Sequence, residues 1–492
     1  MATRSEIHLE LVELSGHVIA QGGWSATLRA DCLYRTARLA KPGHRCRLLQ
    51  GTQEIKPSTP LAALDLSLGT CIQVVWISNS TDAYKSHSNA FAAIKANGSV
   101  VTWGRLDYRR NSSAVSRLLT EGVVQGCATN GAFAAIKAGG SVVTWGDPER
   151  GGDSSAVAAL LTEGVVQIVA TDAAFAAFKA NGSVVTWGKG NRGGDSTAIA
   201  TLLAEGVAQV CGNLGAFAAR LSNGSVVTWG DAFFRFSLLA IAPLVATDVV
   251  HICATSIHAF AAFKANGSVV TWGSHFFGGD SSKVAPLLTG VVEVYSNYRA
   301  FVALKADGSV VSWGDTSWIP YGYLSDVVQV CGTNTACAAL MIDGSVVTWG
   351  NDAEGGDSSE VASLLTEGVV EVYSNYRAFV ALKADGSVVS WGDTSWIPYG
   401  YLSDVVQVCG AGGAFAAIRS GGSVVTWGDD WGGDSSEVAP LLTEGVVQIC
   451  GGEMAFAAIK ADGSVVSWGN PRFGGDSSAV ASLLTEGVTA IF

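Results

Sequence analysis

One phrase constrains this chain more than any other feature: a stretch close to AFAAIKANGSVVTWG, ending in Trp-Gly, occurs ten times. Its tryptophans are Trp103, Trp145, Trp187, Trp229, Trp272, Trp313, Trp349, Trp391, Trp427 and Trp468, spaced 36 to 43 residues apart. A near-constant period of this size means one supersecondary unit copied in tandem. A unit so small cannot bury its own apolar face, so neighbours must stack and share a core. Two stretches, 290–332 and 368–410, are identical over 43 positions, which reads as a duplication of two modules.

Residues 165–206 show the unit in full. VVQIVAT is a short β-branched strand, FAAFKA a second strand rich in small residues, and SVVTW a third. Asn181-Gly182 between the last two predicts a tight type I′ hairpin turn, which needs positive φ at both positions. After Gly188 comes the loop KGNRGG, then Asp195-Ser196-Thr197, whose side-chain oxygens can cap a helix start. AIATLLAEG predicts a two-turn helix closed by Gly206. The module is therefore three strands plus a short helix, and small antiparallel sheets repeated at this length predict propeller blades with the tryptophan as the anchor between them. The first copy begins at Ala90-Phe91 without a VVQI-type strand, and GVTAIF at 487–492 is such a strand; together they predict ring closure.

The DGSVVSWG phrase followed by a Gly-Gly loop resembles the repeat of the regulator of chromosome condensation family, which includes a bacterial beta-lactamase inhibitor protein with shorter blades. The resemblance covers residues 89–492. It implies a β-propeller, usually of seven blades; ten Trp-Gly modules here leave one wide ring, a seven-blade ring with extra units and an open solenoid as the alternatives, of which the end strands favour closure. It also implies two activities as alternatives to plain binding: guanine-nucleotide exchange on a small GTPase, and membership of a large ubiquitin ligase. Exchange would call for a protruding wedge, and no copy carries an obvious long insertion; no ligase domain follows the last repeat in this chain.

Residues 1–77 do not follow the repeat. IHLELVEL, Ser15-Gly16 and HVIAQ read as strand, turn and strand, TLRADCLYRTARLA as a helix, and RLLQGTQEI, LAALDL and CIQVVWI complete the segment. This order resembles ubiquitin and its β-grasp relatives, without a gap from Arg47 to Trp76. The resemblance implies a docking patch for ubiquitin-recognising proteins at Leu14, Leu49 and Val75. The conjugating Gly-Gly tail is missing, and the chain continues through a polar linker at 78–88, so the segment reads as a built-in ubiquitin-like domain.

Composition narrows the function classes. Net charge is −12 with no basic stripe, which argues against nucleic acid as a partner. Charged residues are 15% of the chain and mean hydropathy is +0.32, yet no apolar run is long enough to span a bilayer, so no membrane partner is expected. The N-terminus lacks an apolar signal segment, and the expected location is cytoplasmic or nuclear. Ten cysteines occur with no CxxC pair. Cys211, Cys253, Cys331, Cys409 and Cys450 recur at one place in the module, as small buried hydrophobes would. The Asn-Gly-Ser sequons at Asn97, Asn181, Asn223 and Asn266 alternate between copies with Asp or Gly, which fits a turn.

None of the seven histidines lies in a metal spacing, and no nucleophile elbow, phosphate loop or kinase signature is present. The expectation is a non-enzymatic chain with no cofactor and no metal. The recurrent GGDSS carries Asp153, Asp195, Asp280, Asp357, Asp434 and Asp476, read as capping residues of the scaffold. Positions constant between copies are scaffold; those that vary are the candidates for binding. The loop after Trp-Gly varies most and carries Phe234, Phe277, Trp318, Tyr321, Trp396, Tyr399 and Trp431. Aromatic side chains of this kind anchor protein interfaces. The reading is thus a monomeric protein-interaction scaffold or adaptor with protein partners, tied to the ubiquitin system.

Overall fold

The computed structural model describes residues 6–40, 45–51, 53–55, 59–77, 90–104, 115–232, 239, 241–255, 257–315, 324–393, 402–429 and 432–492. The chain is mainly β, and most of it is repeated three-stranded antiparallel sheets.

The N-terminal part is one five-stranded mixed sheet and a helix. Its strands are β1 (Glu6–Glu13), β2 (Val18–Ser25), β3 (Arg45–Gln50), β4 (Gln53–Ile55) and β5 (Cys71–Ile77), in the order β2-β1-β5-β3-β4, with β1 and β5 parallel. Helix α1 (Asp31–Ala40) lies between β2 and β3 in sequence. Leu9, Leu11, Leu48, Ile72 and Val74 alternate to one face of the sheet and close over Leu33, Tyr34 and Ala37 of the helix. Arg47, Leu49, Gln73 and Val75 have the opposite parity and fall on the other face.

Ten three-stranded sheets follow among the described residues. We call them modules 1 to 10. Module 1 is built from Ala90–Lys95 and Val100–Gly104 with Val488–Ile491 as its third strand. Modules 2 to 10 run over 123–146, 165–188, 207–230, 249–273, 291–314, 327–350, 369–392, 405–428 and 446–469. In each, the middle strand pairs antiparallel with both neighbours; in module 3, Phe175 faces Trp187 in the register and Ala176 faces Thr186.

The small residues of the middle strand explain how modules stack. Phe175 and Trp187 of module 3 share a core with Ala132, Ala134 and Ile136 of module 2, so two large rings of one module lie against the alanine face of the one before it. The rings stack on each other within the module, with centroids 5.3 Å apart. The middle strand of every sheet is buried along most of its length, and all ten tryptophans are at most 6% exposed. Module 1 joins the series from the other end. Phe91, Ala93 and Trp103 pack with Ala455, Ala457 and Ile459 of module 10, and Phe492 exchanges two backbone hydrogen bonds of 2.9 Å with Ala92.

Two local expectations are corrected. The Asn-Gly turns are not type I′. Of that pair only the glycine has positive φ, for example +79° at Gly182; Gly182 N–H donates to Lys179 O and Lys179 N–H to Ser183 O. This is a type I turn over Ala180 and Asn181 followed by a left-handed glycine bulge. Asn181 contributes differently, since its side-chain oxygen accepts from Ser183 N–H at 3.0 Å. The extra residue also frees Gly182 O to accept from Val207 N–H, the first residue of the next module. The second correction concerns the short helix. Ser155–Leu160, Ser359–Leu364, Ser436–Leu441 and Ser478–Leu483 are 3-10 helices, and in the sampled copy a 3-10 turn at Thr197–Ile199 runs into one α-helical turn at Ala200–Leu203. At six residues the segment is far shorter than the length at which an α-helix becomes cooperative.

Candidate functional site

Each module has two ends. At one lie the Asn-Gly or Asp-Gly turn and the start of the first strand; at the other lie Trp-Gly and the loop that follows. The structure shows what holds the loop end together. Trp187 Nε1–H donates to Gly151 O at 3.0 Å, and Gly151 is the first glycine of the Gly-Gly loop of the preceding module. The same bond joins Trp229 to Gly193, Trp313 to Gly278, Trp391 to Gly355 and Trp468 to Gly432, at 3.0 to 3.1 Å. Trp103 of module 1 donates to Gly474, in the loop after module 10, at 2.9 Å.

Both glycines are required by space. A Cβ on Gly151 would lie 2.6 Å from the Phe175 ring, and one on Gly152 would lie 2.6 Å from Gly146 O. Trp145, Trp272 and Trp427 follow loops without this Gly-Gly pair, and their indole nitrogens are buried without a partner. The aspartate after the glycines makes a local turn. Asp195 Oδ1 accepts from Thr197 N–H at 2.9 Å, and Asp153, Asp280 and Asp434 do the same with Ser155, Ser282 and Ser436 at that distance. Those hydrogen bonds hold the Asp153, Asp195, Asp280 and Asp434 carboxyls below the usual carboxylate range. The Gly-Gly-Asp motif is therefore spent on structure.

The first strands of the modules line a common cavity of about 1160 Å³. Its wall carries Gln125, Gln167, Gln209, Glu293, Gln329 and Glu371, one place in the module occupied by an amide or an acid. Gln209 bridges neighbouring strands: Nε2 donates to Ile252 O and Oε1 accepts from Ile252 N–H, both at 2.9 Å. Gln329 repeats this with Val372 at 2.9 and 3.1 Å. Of the recurrent cysteines, Cys127, Cys211, Cys253, Cys331 and Cys409 reach this wall. Burial pushes the Cys127 and Cys450 thiols up to about 12, and it raises Cys211 as well, with the Cys253 thiol beside it adding to the effect. Thiols held protonated in this way are poor nucleophiles and poor ligands.

The residues singled out from sequence fall in three groups. Leu14 is 69% exposed in the turn after β1, while Leu49 and Val75 sit half-buried on one face of the N-terminal sheet. Phe277 is half-buried over the core of module 6 and meets His258 edge-on at 5.5 Å; its neighbour Phe276 is 66% exposed. Phe234, Trp318, Tyr321, Trp396, Tyr399 and Trp431 lie outside the described residues, as does the 78–88 connection. The cavity wall and the Trp–glycine bond were missed. A signal for the bond was available, since a Gly-Gly pair recurs 35 or 36 residues before Trp-Gly, across the module boundary.

No family model matches this sequence, and no curated protein matches it. Among solved structures the chain is similar to the CRINKLY WD40 ectodomain of the Arabidopsis thaliana receptor kinase ACR4, with 16% identity over 52% of this chain and 90% of that one and a TM-score of 0.29. It is similar to yeast RCC1 (Prp20) bound to Kap60, with 15% identity over 50% of this chain and 73% of that one and a TM-score of 0.29. A computationally designed protein, Ika8, gives 13% identity over 63% of this chain and 96% of that one, again with a TM-score of 0.29. Likeness of that degree carries no argument about what this chain binds.

Proposed function

We propose that this chain is a non-catalytic protein-binding scaffold: a closed ring of ten propeller blades at 89–492, carrying a ubiquitin-like unit at 1–77. The observation that carries this reading is the division of labour within the module. Its recurrent residues are consumed by stacking, by the Trp–glycine bond and by local turns, so recognition falls to the positions that differ between copies. Those positions are aromatic and cluster after Trp-Gly, as interface anchors do. Closure is supported by the strand at 488–491 pairing in module 1 and by Trp103 donating to Gly474. The ubiquitin-like reading is supported by the order β2-β1-β5-β3-β4, with β1 and β5 parallel and a helix after β2.

The test is affinity purification with the full chain and with Trp318→Ala, Trp396→Ala and Trp431→Ala. A partner retained by the parent and lost by these variants, with thermal unfolding unchanged, supports the loop face. A partner bound equally by all four would move recognition elsewhere.

A further inference from the structure

The first strand of every module opens with a core residue followed by one in a bulge that has no partner in the register of the middle strand. At this second place Val124 is 60% exposed, Val166 51%, Val406 56% and Val447 57%. Ala208 and Thr489 are exposed there too. Val292 and Val328 differ sharply, at 3% and 8%, and Val250 and Val370 on either side of them are intermediate. The cause is not within the repeat, because Val328 and Val406 occupy the same place in two stretches that are identical over 43 residues. The exposed valines also stand beside several different neighbouring modules, so no single neighbour accounts for the contrast.

The burial is therefore a footprint centred on modules 6 and 7, and the N-terminal unit stands on it. Helix α1 packs against the first strand of module 6. Arg29 Nη1–H donates to Ile342 O at 2.6 Å, at the turn end of module 7, and Ile342 packs in the same cluster as Val328. Tyr34, Cys46, Arg47 and Glu54 complete the cavity wall next to Tyr373 and Glu371.

We propose that the N-terminal unit is a lid in cis, seated on modules 6 and 7 at the turn end, and that Arg29 latches it. A cavity occupant entering from that end requires the lid to lift. The latch reads geometry and not sequence, because its acceptor is a backbone carbonyl.

The test is site-specific alkylation of the full-length protein, with introduced cysteines read by mass spectrometry. Val328→Cys and Val406→Cys report one place in two identical stretches. In the parent, V328C should react at least about tenfold more slowly than V406C. Adding Arg29→Glu should bring V328C to the rate of V406C and leave V406C unchanged. Equal rates in the parent would overturn the lid, and a V328C still protected beside Arg29→Glu would overturn the latch. Should either variant fail to fold, Val292→Cys against Val370→Cys makes the same comparison and expects the same order.

Discussion

The indole nitrogen of Trp187 and the carbonyl of Gly151 meet across a module boundary, which makes one hydrogen bond a probe of stacking. Burying an indole of about 150–250 Å² contributes roughly 4–6 kcal/mol as an upper bound. Trp187→Ala should therefore cost about 3–5 kcal/mol in denaturant unfolding. The bond itself is isolated by comparing Trp187→Phe with Trp145→Phe. Both lose the same ring volume, but only Trp187 loses a satisfied donor, because Trp145 Nε1 is buried without a partner. Trp187→Phe should cost about 1 kcal/mol more; equal costs would mean that the bond contributes nothing. Gly151→Ala tests the acceptor side. Its φ is +99° and the added carbon would press on Phe175, so a loss of about 2–4 kcal/mol is expected in the same assay.

At the scale of the element, the hairpin turns predict how the array responds to acid. Asp307, Asp343, Asp385 and Asp462 accept from the backbone and hydroxyl of the serine two residues on, and these bonds lower their pKa values. A carboxyl with a depressed folded pKa contributes stability that is present above its unfolded value and lost as pH falls through the folded one. The melting temperature should therefore fall below about pH 4. Replacing all four with Asn should make that limb shallower, with the Gly-Gly-Asp carboxyls keeping the remainder, since Asn181 makes the same backbone contact without titrating. An unchanged acid limb would place the titration elsewhere. The same turns show why local sequence misled. Asn-Gly is the signature of two turn types, and what selects the bulged one is the following module, whose first N–H needs Gly182 O. The short helix departs from expectation because its apolar spacing is helical but its run of about six residues is too short to propagate α-helical bonding.

At the scale of the molecule, the period of Trp-Gly and the missing first strand were enough to anticipate sheets stacked in series with the C-terminal strand completing the first of them. The order of strand-like and helical runs in 7–77 was enough to anticipate a sheet and a helix there. Two things were not legible. The footprint at Val292 and Val328 depends on where one folded unit settles on another, and identical residues at 290–332 and 368–410 hold no trace of it. The common cavity follows from how many modules share one centre, which no single module encodes. Ring closure is the claim on which both rest, and it turns on the last residue of the chain, whose amide donates to Ala92 O at 2.9 Å. Hydrogen exchange of the Phe492 amide, followed by NMR with ¹⁵N-phenylalanine, tests it most directly. A closed ring predicts exchange slower than in an unfolded peptide by at least about a hundredfold; exchange at the rate of a free chain terminus would contradict it.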